Sequence, residues 1–247
     1  MKKRLKKAVI AAAAIAALCC GGIALYAGDY YHADETAAMT IQQAELLKED
    51  GVTAEITDNM IIFRPDEIKA GFIFYPGGKV EYTAYVPVAY QLAQNGVACI
   101  ITEMPLNLAV MDIDTADKAY ERIANVDKWY IGGHSLGGSM AASYLESTGT
   151  SFDGLILLAS YSTANLSAKD IDVLSVYGSN DKVLNMKKYA DNFKNLPDGT
   201  TEIIVDGGNH AQFGSYGVQD GDGEALIEAE QQWNITVNAI LEFMEIQ

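Results

Sequence analysis

Tyr130-Ile131-Gly132-Gly133-His134-Ser135-Leu136-Gly137-Gly138 lies between an apolar run at 129–131 and a helix-like run at 139–146. Within it, Gly133-x-Ser135-x-Gly137 occupies the strand–turn–helix setting that a nucleophile elbow needs. The turn is so tight that Ser135 must hold a strained backbone conformation, costing roughly 1–3 kcal/mol. The following helix starts almost against the strand, so side chains at 133 and 137 would collide and glycine is required at both. Ser135 then stands at a helix N-terminus, where unpaired N–H groups and the helix dipole favour developing negative charge.

A serine hydroxyl is a weak nucleophile at neutral pH and needs a base within hydrogen-bond reach. The chain has 3 histidines. His32 lies in a polar aromatic stretch near the N-terminus, and His134 is locked beside the serine with its side chain aimed elsewhere. His210, in Gly207-Gly208-Asn209-His210, directly follows the last expected strand and is the candidate base. That base needs a carboxylate to fix its tautomer and to stabilise the imidazolium. Asp181, in Tyr177-Gly178-Ser179-Asn180-Asp181, follows a strand at its C-terminal end, where catalytic groups gather in α/β sheets. Asp206 is the rival, and Asp153 stands at the wrong end of its strand. Attack on a carbonyl creates an oxyanion that two backbone N–H groups should meet. Leu136 is the candidate for one. The other should come from Pro76-Gly77-Gly78-Lys79, with Gly78 preferred and Lys79 the alternative.

The rest of the chain supplies the frame. After a helix at 39–48, segments 52–56 and 60–63 alternate around Asp58-Asn59 and read as an antiparallel hairpin. Apolar strands at 70–75, 97–102, 129–131, 155–159, 173–177 and 202–205 then alternate with helices at 85–94, 115–124, 139–146, 186–196 and 224–245. This rhythm predicts an α/β fold with a mostly parallel sheet covered on both faces. Only 160–172 separates two successive strands, too short for a helical lid, so an open site is expected. Residues 39–247 form one domain.

The N-terminus stands apart from that domain. Lys2, Lys3, Arg4, Lys6 and Lys7 precede an uncharged run from Ala8 to Ala27. About 20 apolar residues suffice to cross a bilayer, and the basic cluster should stay in the cytoplasm. Residues 1–28 are therefore expected to be a transmembrane anchor, with 29–38 a stalk and the domain outside the cytoplasm. Gly22-Ile23-Ala24 also offers a signal-peptide cleavage site, after which the domain would be secreted. Cys19 and Cys20 suggest a lipoprotein but lack the usual preceding sequence. The chain's formal net charge is −16. All 33 acidic residues lie beyond residue 28, leaving 12 basic residues against them. Such a surface repels nucleic acid and anionic lipid, which excludes a nucleic-acid role. Outside the anchor only Cys99 remains, so the domain forms no internal disulfide.

From about residue 50 onward the chain resembles the α/β-hydrolase superfamily, in particular its compact, lidless branch near dienelactone hydrolases and small bacterial serine esterases. Tyr75-Pro76-Gly77-Gly78, Gly133-His134-Ser135-Leu136-Gly137-Gly138, Gly178-Ser179-Asn180-Asp181 and Gly208-Asn209-His210 carry the resemblance. The order Ser135, Asp181, His210 is that of the superfamily. Two features depart from its pattern: Pro76-Gly77 stands where His-Gly is frequent, and dienelactone hydrolases proper use cysteine where this chain has Ser135. The resemblance implies a Ser-Asp-His triad, an acyl-enzyme and a small ester-like substrate; thioesterase, peptidase, acyltransferase and non-catalytic envelope-binding roles are the alternatives. No cofactor is indicated, since Gly132-Gly133 completes no dinucleotide fingerprint. Asp220-x-Asp222 with Glu224 looks like a calcium loop but lacks the full ligand spacing, so no metal is expected. Met104-Pro105-Leu106-Asn107-Leu108 is placed to form an apolar wall, and a monomer is favoured.

Overall fold

A computed structural model describes residues 28–46 and 51–246. The chain divides into two units, Met1–Tyr30 and Tyr31–Gln247. The first contributes only residues 28–30 to those described, so the expected anchor falls almost wholly outside them. Among the described residues no helix is long and apolar enough to cross a membrane.

The second unit is built on one eight-stranded sheet in the order β1-β2-β4-β3-β5-β6-β7-β8. The strands are β1 (Val52–Ile56), β2 (Met60–Pro65), β3 (Ala70–Tyr75), β4 (Val97–Thr102), β5 (Trp129–His134), β6 (Gly154–Leu158), β7 (Asp172–Gly178) and β8 (Thr201–Val205). The β1–β2 hairpin joins antiparallel to β4, and all other pairings are parallel. The apolar runs of β3, β4, β5 and β6 are buried along their whole length, as a sheet covered on both faces demands.

Successive side chains of each strand enter opposite layers. Phe63, Phe72, Phe74, Cys99 and Ile101 pack with helices α2 (Val86–Gln94) and α6 (Ala229–Phe243) on one face. Ile62, Ile73, Ile100, Ile131 and Leu157 pack with α3 (Thr115–Tyr120) and α4 (Leu136–Ser147) on the other. Cys99 is a buried free thiol, and burial pushes its pKa up.

Three expectations need correction. The first helix, α1 (Glu35–Leu46), starts inside the segment read as a stalk. There the Asp34 carboxylate accepts the amides of Thr36 and Ala37, satisfying donors that a helix start leaves unpaired. Residues 31–34 are tied to the domain besides: the Tyr31 amide donates to the Lys79 carbonyl, the Glu81 amide to the Tyr31 carbonyl, and the Asp34 amide to the Ser215 carbonyl. The helix expected over 115–124 ends at Tyr120, and Asn125 beyond it has φ 61°. The closing helix begins at Ala229 rather than at 224, because Glu228 and Gln231 form a reciprocal capping box. No helix interrupts 159–171.

Candidate active site

The C-terminal ends of β3, β5, β6, β7 and β8 lie along one edge of the sheet, and the candidate residues stand on the loops leaving it. Ser135 joins β5 to α4 with φ 51° and ψ −117°, a conformation an L-residue adopts only under strain. Its amide donates to the Leu158 carbonyl at 2.9 Å, and its carbonyl accepts the Ser160 hydroxyl at 2.6 Å. A Cβ on Gly133 or Gly137 would run into the Tyr75 carbonyl oxygen of β3. The elbow is thus wedged against the neighbouring strand as well as against its own helix.

His210 and Asp181 meet across two loops. The Nδ1 atom of His210 lies 2.8 Å from Asp181 Oδ2, and both side chains are almost fully buried. The other Asp181 oxygen accepts the amides of Val183 and Leu184 at 2.9 and 2.7 Å, which orients the carboxylate. With Nδ1 engaged, Nε2 is the ring nitrogen left to receive a proton. Neither Nε2 nor the Ser135 hydroxyl is bonded to another group among the described residues. Asp206 is exposed and accepts the Ser179 hydroxyl instead. Asp153 caps the start of β5 by accepting the Trp129 amide.

Ser135 and His210 line one cavity of about 240 Å³ whose walls include Leu136, Tyr161, Val183 and Leu184. A larger hollow of about 480 Å³, bounded by Asp34, Asp222 and Trp233, is reached by neither Ser135 nor His210. The smaller one is where the candidate serine and histidine meet.

The loop after β3 passes beside this cavity. Gly77 donates its amide to the Tyr85 hydroxyl at 3.0 Å, and Lys79 donates its own to the Asn107 carbonyl at 2.7 Å. Pro76 has no amide hydrogen. In this loop the Gly78 amide is therefore the one bonded to no described group. The Leu136 amide, at the first position of α4, has no intrahelical acceptor either. Apolar side chains flank Gly78: a Cβ there would come 2.9 Å from Leu136 Cδ2 and 3.8 Å from Leu108 Cδ2. Nearby in sequence, Leu106, Val110 and Met111 are exposed.

His134 stands behind the site and not in it. Its Nδ1 is 2.9 Å from the Tyr85 hydroxyl. Because that hydroxyl already accepts the Gly77 amide, its proton is assigned to His134 Nδ1, which leaves the imidazole neutral. Burial and, secondarily, the neighbouring His210 ring hold its pKa well below the usual histidine range, and the nearby His210 main chain only partly opposes them. Its Nε2 is buried without a partner at hydrogen-bond geometry. Burial pushes the Tyr85 phenol up, so Tyr85 stays a neutral donor.

From sequence alone Tyr85 is placed to pack either on an acyl or leaving group or on a helix face, and Ser160 and Asp222 receive no role at the site. Asp222, part of the calcium-like pattern, spends its carboxylate on the amides of Lys182, Gly223 and Ala211. No short-range pattern marks these residues, because each acts on a segment distant in sequence. Among the described residues no group of His, Cys, Asp and Glu is placed to hold a metal ion.

A family model described as "Alpha/beta hydrolase family" matches residues 71–234, a span that includes Ser135, Asp181 and His210. No curated protein matches the chain. Among solved structures, TT1662 from Thermus thermophilus superposes with a TM-score of 0.57 at 12% identity, covering 79% of this chain and 99% of that one. Est1E from Butyrivibrio proteoclasticus superposes with a TM-score of 0.54 at 15% identity, again covering 79% and 99%. At such identities the likeness is one of fold.

Proposed function

Because the chain belongs to the alpha/beta hydrolase family, and so is a hydrolase, we propose that it is a serine hydrolase that cleaves carboxylic esters through an acyl-enzyme. The observation that carries this reading is the buried Asp181–His210 pair opening onto the same cavity as Ser135. In this reading Ser135 Oγ attacks the ester carbonyl carbon while His210 Nε2 takes the hydroxyl proton. Asp181 holds the ring through Nδ1 and stabilises the imidazolium that forms. The amides of Leu136 and Gly78 receive the oxyanion. Collapse of the tetrahedral intermediate breaks the bond to the leaving alcohol, which carries off the proton from His210. Water activated by the same imidazole then releases the acid and restores Ser135.

The cavity also supports a substrate class. Its walls carry no carboxylate, lysine or arginine side chain, and Leu136, Ala159, Val183 and Leu184 give them an apolar side. A small or medium uncharged acyl group suits such walls. The basic flank and apolar run of residues 1–28 support a location at the cell membrane with the domain outside the cytoplasm.

A fluorophosphonate probe tests the chemistry, since only an activated serine reacts with it. Labelling at Ser135, together with turnover of p-nitrophenyl esters, is expected. A protein that leaves the probe unreacted at every pH between 6 and 9 is not a serine hydrolase.

A further inference from the structure

Asp181 leaves β7 and His210 leaves β8, so their 2.8 Å contact depends on how two separate loops are held together. One carboxylate reaches both. Asp222 Oδ1 accepts the amide of Lys182, the residue after Asp181, at 3.2 Å, and also that of Gly223 at 2.7 Å. Asp222 Oδ2 accepts the amide of Ala211, the residue after His210, at 2.8 Å. The next two residues repeat the arrangement with main-chain atoms. The Gly223 carbonyl accepts Asn209 Nδ2, and the Glu224 carbonyl accepts Asn180 Nδ2, both at 2.9 Å. Gly223 is packed so closely on the Asn180 carbonyl that a Cβ would overlap it.

We infer that Asp222 is a positioning residue for the reaction: it sets the separation and angle of the Asp181–His210 pair without touching substrate. A carboxylate suits the task because it presents two acceptor oxygens in a fixed plane, and hydrogen bonds to an ionised acceptor are the stronger kind. The inference rests on the serine-hydrolase reading for its kinetic consequence, but the geometry it describes is testable without turnover.

The experiment compares the parent with Asp222→Ala, Asp222→Asn and, as a control, Asp220→Asn, whose carboxylate bonds to no described group. Rates are expressed per fluorophosphonate-titrated site, which removes any loss of folded protein. Asp222→Ala is expected to lower kcat by about tenfold to a hundredfold with KM nearly unchanged, as small misplacements of reacting groups do. Asp222→Asn retains one acceptor oxygen and should fall between Ala and the parent. Asp220→Asn should match the parent. In parallel, the downfield proton resonance of His210 Nδ1–H is expected to shift or vanish in Asp222→Ala while the rest of the amide spectrum persists. A kcat per titrated site equal to the parent's, with that resonance unmoved, overturns the inference. If Asp222→Ala does not fold, the same two readings on Asp222→Asn decide. If the parent proves inert toward the probe, the proposed function fails, and the resonance alone still decides whether Asp222 sets the pair.

Discussion

The His210 ring lies tilted 4.5 Å from the His134 ring, centroid to centroid, and the two imidazoles sit in different surroundings. His210 faces a carboxylate on one side and the cavity on the other. His134 is sealed behind it between Tyr85 and Phe213. One borders the cavity, and the other is held neutral by burial.

That burial has a consequence for stability. The folded-state pKa of His134 is depressed, whereas in the unfolded chain it returns to about 6.5. Below that value the unfolded state binds a proton that the folded state refuses, so this group's contribution falls as pH drops. The limiting slope is about 1.4 kcal/mol per pH unit. Urea unfolding of the parent and of His134→Gln between pH 5 and 7.5 should therefore show a shallower pH dependence in the variant. Equal slopes would mean that His134 takes up a proton in the folded protein.

Ser135→Ala and Asp181→Asn should both retain the fold and lose turnover. The first removes the proposed nucleophile and should cost several orders of magnitude in kcat/KM. The second leaves an almost isosteric group that disfavours the productive tautomer, with a loss of up to roughly 10⁴-fold in a triad protease as the guide. Asp206→Asn should change turnover little, since Asp206 bonds to Ser179 and is exposed. Steady-state kinetics on one p-nitrophenyl ester checks all three. A crippled Asp206→Asn beside a mild Asp181→Asn would move the acid to Asp206.

Gly137→Ala should prevent the elbow from forming. The added methyl has backbone on the far side, the carbonyls of Tyr75 and Pro76, and backbone yields far less readily than a flexible side chain. Poor soluble yield or a lowered Tm is expected, by contrast with Gly149→Ala, where a Cβ meets nothing within 4 Å.

Tyr85→Phe should act on both stability and turnover. The hydroxyl satisfies the Gly77 amide and His134 Nδ1 together, and leaving a buried polar group unpaired costs about 1–3 kcal/mol. Because Gly77 precedes Gly78, loosening that loop should also lower kcat more than it raises KM. A variant as active and as stable as the parent would show that the loop holds its place without this bond.

Much of the molecule is legible in the amino-acid sequence because its signals are local. The limits of β3 and β4 follow from unbroken apolar runs, and the elbow follows from glycine spacing around one serine, a steric requirement confined to a few residues. Scarcity of alternatives singles out His210, since only one other histidine lies within the α/β core and the elbow itself locks that one. Helix limits are less legible. Asp34 and Glu228 cap helices through hydrogen bonds that decide where each begins, and apolar periodicity does not register them.

The sequence by itself determined the alternation of strands and helices, the strained serine turn and the candidate base, because each depends on residues adjacent in the chain. Strand position already favoured Asp181 over Asp206; only the tertiary structure decided the rest: the 2.8 Å contact of Asp181 with His210, the bracing of both the Gly77 loop and His134 by Tyr85, and the tie that Asp222 makes between two loops, one of them 40 residues away. Those relations are hydrogen bonds between segments 8 to 49 residues apart. Their partners are selected by strand order and loop packing, and residue type along the chain carries no trace of which distant amide or ring a given oxygen will meet.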